Sequence, residues 1–286
     1  MRVAVVSNRN RPGYPDENLR DHVLWIRRAA KAGARLVLFP ELSLSGYTSE
    51  SYVRRIAMPL KHTRCLALQR AAAESEIHVA FGLPLRSRSR LYISHVLVGP
   101  SGLVGHYEKV HLAGPVHGEG RVFRPGTGFR VFDVEGVCVG INICYDGRHP
   151  GSSLATAHLG AEIILHPHGN YVGRLGVNPL DWTENKHAYL ASRAVDTCSY
   201  TMICNSVGNL RDPEGQLFRY SGGAVVLGPD GSYVARSSSS KRQAHMIVAD
   251  LDIDGLRQRR ANSAFAERQA GAYAEALTPG SSLGKL

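Results

Sequence analysis

Val137-Cys138-Val139-Gly140-Ile141-Asn142-Ile143 reads as a buried strand, and Cys144-Tyr145-Asp146-Gly147-Arg148-His149-Pro150 follows with residues that cannot continue it. A thiol at this break is held by a sheet on one side and reached from a loop on the other. Function gathers at such strand ends, because a rigid scaffold presents a loop able to line a pocket. A cysteine alone is weak evidence, since free cysteines mostly fill core space.

Two other strand ends supply groups that complement the thiol. Leu36-Val37-Leu38-Phe39 is a short apolar strand that Pro40 stops just before Glu41. Gly105-His106-Tyr107-Glu108-Lys109-Val110-His111-Leu112 alternates polar with small or apolar residues and sets Lys109 near a strand exit. A carboxylate, an ammonium and a thiol are the parts of nucleophilic attack on a carbonyl-type carbon. The carboxylate takes the thiol proton, while the ammonium favours thiolate and steadies the tetrahedral oxyanion.

Outward from these three points the chain alternates strand and helix. A strand at 2–7 precedes a helix over 17–32, with Gly33 at its C-terminal end. A helix over 60–73 precedes strands at 78–84, 91–98 and 103–109, the last two joined by Pro100-Ser101-Gly102. Strands at 129–134 and 137–143 meet at Glu135-Gly136. A helix over 152–159, a strand at 162–166 and a helix over 182–196 follow. Strands at 200–205, 223–227 and 245–251 complete the order. Helices between strands, together with tight hairpins, predict an α/β fold of mixed sheets covered by helices. No composition break divides the 286 residues, so a single domain is expected, with Ser237-Ser238-Ser239-Ser240 as a loop.

In their order, Phe39-Pro40-Glu41, Glu108-Lys109-Val110-His111-Leu112 and Asn142-Ile143-Cys144-Tyr145-Asp146 resemble the three signatures of the nitrilase superfamily of carbon–nitrogen hydrolases. The resemblance extends through Ser192-Arg193-Ala194, Cys204-Asn205-Ser206-Val207-Gly208 and Ser221-Gly222-Gly223-Ala224, to about residue 260. Each motif is short; their joint order carries the signal. The resemblance implies a four-layer α-β-β-α sandwich of two mixed sheets, with Glu41 as general base, Lys109 as stabiliser of the intermediate and Cys144 as nucleophile. Glu119-Gly120-Arg121-Val122-Phe123-Arg124-Pro125-Gly126 is close to a further family stretch, which makes Glu119 the fourth catalytic candidate. It also implies a homodimer or higher homo-oligomer, with 266–286 as a tail or dimer arm.

Substrate class follows from the residues after the thiol. Nitrile-hydrolysing relatives usually carry Trp-Glu there, whereas this chain has Tyr145-Asp146, which favours an amide or N-carbamoyl (ureido) substrate. By resemblance to N-carbamoyl-amino-acid hydrolases, Arg148 would hold a substrate carboxylate, with Tyr145 and His149 beside it. A guanidinium fork suits a carboxylate bidentately. A structural ion pair of Arg148 with Asp146 or Glu162 is the competing reading. Ser152 or Ser153 is the expected N-cap of the next helix, and His111 is expected to support the loop. The alternatives to amide hydrolysis are nitrile hydrolysis by the same three side chains, or a silent family member used for binding.

Composition bounds the rest. With 43% hydrophobic and 20% charged residues the chain has ample material for a core. No apolar run is long enough to span a membrane, and Met1 to Val6 leads straight into a strand without an apolar leader. Five cysteines without framework spacing argue for reduced thiols and a cytoplasmic setting. The net charge of +10 is scattered over small arginine clusters without interleaved aromatics, which disfavours nucleic acid. Arg86-Ser87-Arg88-Ser89-Arg90 reads as an exposed hairpin turn. His166-Pro167-His168 lacks a second ligand cluster and no glycine loop cradles a phosphate, so no metal and no cofactor are expected.

Overall fold

The computed structural model describes residues 1–114, 118–172, 185–237 and 243–265. Its first half runs β1 (Arg2–Ser7), α1 (Pro15–Lys31), β2 (Leu36–Leu38), α2 (Val53–Ile56), α3 (Thr63–Glu74), β3 (His78–Ser87), β4 (Arg90–Gly99) and β5 (Gly102–Glu108). Next come β6 (Val131–Val134), β7 (Val137–Ile141), α4 (Pro150–His158), β8 (Ile163–His168), β9 (Tyr171–Val172) and α5 (Asn185–Thr197). The remainder is β10 (Tyr200–Asn205), β11 (Val207–Arg211), β12 (Leu217–Ser221), β13 (Ala224–Leu227), β14 (Tyr233–Arg236), β15 (His245–Asp250) and α6 (Ile253–Ala261).

Two six-stranded sheets form, in the orders β15-β1-β2-β3-β4-β5 and β14-β13-β10-β8-β7-β6. Read from β15 and from β6, both show the same neighbour relations: antiparallel, parallel, parallel, antiparallel, antiparallel. The two sheets thus repeat one mixed-sheet plan, although β15, from the C-terminal part of the chain, completes the first.

Side-chain alternation turns these sheets into four layers. On β1, Val3 and Val5 join Leu38, Val139, Ile141, Leu165 and Met202 in one cluster, the core between the sheets. The intervening Ala4 and Val6 pack instead with Trp25 and Ile26 of α1 and with Leu68 and Ala72 of α3. On the far side Ile203, Val225 and Leu227 pack with Leu190 and Ala194 of α5. Strands buried on both faces read as continuous apolar runs, which is why these stretches stood out in the sequence. The fold is the α-β-β-α sandwich expected.

The Glu135-Gly136 and Arg88 turns lie where expected, with Glu135, Gly136 and Arg88 at φ +56°, +79° and +52°. One expectation fails, and several elements were unforeseen. The helix after Cys144 begins at Pro150, with no side-chain cap, because proline's fixed φ suits the first helical turn. Ser152 Oγ lies 3.2 Å from His111 Nδ1, and Ser153 Oγ donates to Asn142 Oδ1 at 3.2 Å. A third sheet, β11-β12-β9, was unforeseen, since its short strands mix Gly, Asn and Arg and show no apolar period. So were α2, α6 and the mostly exposed β14. Residues 238–240, the start of the 182–196 helix and the segment 266–286 lie outside the described residues.

Candidate active site

Each reactive group leaves a strand at its C-terminal end. After β2, Pro40 turns the chain and Leu42 takes a left-handed φ of +49°. This segment crosses β3 so closely that a Cβ on Gly82 would sit 2.3 Å from the Leu42 nitrogen, which demands glycine there. The N–H of Glu41 donates to the carbonyl of His168 at 3.2 Å, reaching from the first sheet to the second. Lys109 directly follows β5, its N–H donating to Ile93 O at 2.9 Å and its carbonyl accepting from Gly126 N–H at 2.8 Å. Glu119 opens a short 3-10 turn, Glu119–Arg121.

Cys144 begins a second 3-10 turn, Cys144–Arg148, with φ at +45°. A side-chain-bearing residue in that region costs on the order of 1–2 kcal/mol. Asp146, fully buried, holds the turn against this cost. Its Oδ2 accepts from Ile143 N–H at 3.0 Å and from Tyr107 OH at 2.8 Å. Its Oδ1 accepts from His111 N–H at 2.8 Å and lies 3.0 Å from His111 Nδ1. Tyr107 and His111 flank Lys109 two residues to either side, so Asp146 ties the thiol's turn to the lysine's strand. His111 supports the loop as expected.

Lys109, Glu41 and Glu119 converge and are all buried. Lys109 Nζ lies 2.8 Å from Glu41 Oε1, 2.8 Å from Glu119 Oε1 and 2.9 Å from Glu119 Oε2. One ammonium therefore serves two carboxylates away from water, and the cluster is one positive charge short. Burial pushes the Glu41 carboxyl up to about 7. Lys109 opposes that rise, and the Glu119 charge reinforces it. Cys144 adds a smaller influence that favours the ionised form of Glu41. Burial alone would lower Lys109, but Glu119, Glu41 and Cys144 together hold it above its ordinary value. The lysine is a fixed cation, and Glu41 is a carboxylate poised near neutrality.

Around the thiol, Tyr145 is half-buried while Arg148 and His149 are exposed. The ion pair weighed for Arg148 does not form with either acid. Asp146 is occupied as described, and Glu162 pairs with Arg257 at 2.6 Å. The Arg148 guanidinium instead lies 5.0 Å from the ring centroid of Tyr189 on α5. His149 stacks on His111 at 3.9 Å between centroids, with Tyr145 edge-on at 5.5 Å.

Four neighbours escaped the sequence reading. Tyr47 OH donates to Glu119 Oε1 at 2.5 Å. Asn170 Oδ1 lies 3.9 Å from Cys144 Sγ, and its amide nitrogen lies 3.1 Å from His168 Nδ1. Burial first, then a charge on Cys144, raises the phenol of Tyr189. The clamp role of Asp146 is the fourth. Tyr47 and Asn170 reach Glu119 and Cys144 across 72 and 26 residues of chain, so neither contact leaves a local signal.

The chain belongs to the carbon–nitrogen hydrolase family, whose model matches residues 2–261. It is a carbon–nitrogen hydrolase enzyme of the nitrilase superfamily. A protein named nitrilase, from Pyrococcus abyssi, is 30% identical over 266 residues, covering 92% of this chain and 94% of its own. An (R)-stereoselective amidase from a Pseudomonas species is 29% identical, covering 91% and 88%. The crystal structure of an amidase from a Nesterenkonia species superposes with a TM-score of 0.77 at 28% identity, covering 92% and 94%.

Proposed function

We propose that this enzyme hydrolyses the C–N bond of a small amide or N-carbamoyl compound through a covalent intermediate on Cys144. The observation that carries the reading is the buried Glu41–Lys109–Glu119 cluster, with the strained Cys144 in its electrostatic reach. Relatives called nitrilase and amidase stand at nearly equal identity, 30% and 29%. Overall similarity therefore does not choose between them, and Tyr145-Asp146 after the thiol favours the amide.

The thiol proton passes to Glu41 as sulfur attacks the substrate carbon, forming a C–S bond. The resulting oxyanion is held by Lys109 and by the backbone N–H of Tyr145. The tetrahedral species collapses, the C–N bond breaks, and Glu41 returns the proton to the departing nitrogen as ammonia or an amine. Water then attacks the thioester, giving one proton to Glu41. Collapse releases the acid and the sulfur, which recovers its proton. Glu119 keeps Lys109 oriented and charged throughout.

Arg148 is the candidate for reading a substrate carboxylate. It makes no ion pair among the described residues, and its guanidinium lies over the ring of Tyr189. The five cysteines are all free thiols, which supports a reducing, cytoplasmic setting. No described helix is long and apolar enough to cross a membrane. We read 1–286 as one catalytic domain acting as a homo-oligomer, which light scattering on the purified chain checks.

The deciding experiment measures ammonia release from simple amides, N-carbamoyl amino acids and nitriles, with Cys144→Ala as control. Turnover of amides or ureido compounds, abolished in the variant, supports the reading. Turnover of nitriles alone makes it a nitrilase. Turnover of nothing, with Cys144 no more reactive than the other thiols, makes it a binding protein.

A further inference from the structure

Glu41 and Glu119 share one ammonium, yet their surroundings differ sharply. Glu119 Oε1 accepts from Tyr47 OH at 2.5 Å and from Lys109 Nζ at 2.8 Å. Its Oε2 accepts from the same Nζ at 2.9 Å and from Ala113 N–H at 2.7 Å. Each oxygen thus meets two donor contacts, which fills the acceptor capacity of a carboxylate. Glu41 Oε1 accepts from Lys109 at 2.8 Å, while its Oε2 has no hydrogen-bond donor among the described residues.

A proton added to Glu119 would point at a donor on whichever oxygen it chose, and one hydrogen bond would be lost. A proton added to Glu41 finds an open oxygen. We propose that Tyr47 is a positioning residue that, with the Ala113 N–H, saturates Glu119 and so leaves Glu41 to take the thiol proton.

Tyr47 is built for one orientation. It is buried, its carbonyl accepts from Tyr220 OH at 3.1 Å, and its ring lies 5.7 Å from that of Tyr171. A Cβ on Gly169 would meet the ring at 2.4 Å, so the exit of β8 is cut away to admit it. Burial first, then Glu119 and Glu41, hold its phenol far above its ordinary value, so Tyr47 remains a donor wherever the enzyme works. The titratable groups in electrostatic reach of this pair of carboxylates include Lys109, Cys144, Tyr47, Tyr171 and Tyr220.

The inference rests on Cys144 and Glu41 acting as nucleophile and base, and its test needs no substrate. The rate of Cys144 alkylation by iodoacetamide is followed against pH by intact mass, in wild type and Tyr47→Phe. Loss of the phenol makes Glu119 a competing proton acceptor. A proton on Glu119 removes the charge that raises Glu41, so the acid limb of the profile moves to lower pH by about one unit, with rates above the limb within a few-fold of wild type. In a Glu119→Gln background the same Tyr47→Phe change leaves the limb where it was.

Equal slowing at every pH, or an unchanged shift in the Glu119→Gln background, overturns the proposal. Should Tyr47→Phe not fold, infrared spectra of the carboxylic-acid C=O band across neutral pH decide instead. The band is expected to vanish in Glu41→Gln and to remain, titrating at lower pH, in Glu119→Gln, and the reverse pattern overturns the assignment. Absence of preferential Cys144 labelling in wild type would instead defeat the nucleophile reading, a distinguishable failure.

Discussion

The Glu41 N–H and the His168 carbonyl meet at 3.2 Å, joining the exit of β2 in one sheet to the exit of β8 in the other. The candidate base is therefore anchored to the sheet that carries the thiol as well as to its own. A site assembled from three strand exits keeps its geometry only as well as the sheets keep their packing. The perturbations below strike different points of that arrangement.

Gly82→Ala places a methyl group 2.3 Å from the Leu42 nitrogen, and backbone has no rotamer with which to escape. The segment carrying Glu41 must shift. The expected cost is about 1–3 kcal/mol by urea denaturation, with a loss of activity far beyond what that stability change explains. Wild-type turnover in this variant would show that the crossing tolerates a side chain.

Asp146→Asn keeps the shape of the clamp but swaps an acceptor oxygen for a donor NH2. That NH2 must face either Ile143 N–H and Tyr107 OH or the His111 N–H. A loss of about 1–3 kcal/mol in stability is expected, together with slower alkylation of Cys144 at every pH. Unchanged alkylation would mean the turn holds its left-handed residue without Asp146.

Glu41 makes stability depend on pH with a definite sign. Its folded value is raised from 4.5 to about 7 by burial, so between those values the folded chain holds a proton that the unfolded chain has lost. Stability from this group is full below the unfolded value and drains as pH rises through the folded one. Glu41→Gln removes the effect while leaving Lys109 paired with Glu119. The difference in Tm, variant minus wild type, should become more positive between pH 5 and pH 8. A difference that stays flat contradicts a raised Glu41.

Arg148→Ala should lower kcat/KM by roughly 10–100-fold for carboxylate-bearing substrates, the effect of losing a charge-assisted contact. Neutral amides should be nearly unaffected. Equal losses on both would assign Arg148 to fixing Tyr189, over whose ring it lies.

Much of the site was legible because the strands are. Apolar runs such as Leu36–Phe39 and Val137–Ile143 end at proline or at polar turn residues, and burial on both faces makes their lengths plain. Glu41, Lys109 and Cys144 then fall at the breaks. Glu119 needed its resemblance to a family stretch, since a glutamate among glycines says nothing by itself. The sheet formed by β11, β12 and β9 stayed hidden, as did Tyr47, which lies 72 residues from the carboxylate it contacts. A short polar strand has no hydrophobic period, and a phenol in a loop has no pattern at all.

The chain's own order of residues determined a layered α/β protein with a thiol, an ammonium and an acid at three strand exits, because burial leaves a periodic trace along the sequence. Only the folded structure decided that two glutamates share one lysine, and which of them keeps an open oxygen. That choice depends on donors within 3 Å in a buried site, and such distances between remote residues leave no local trace.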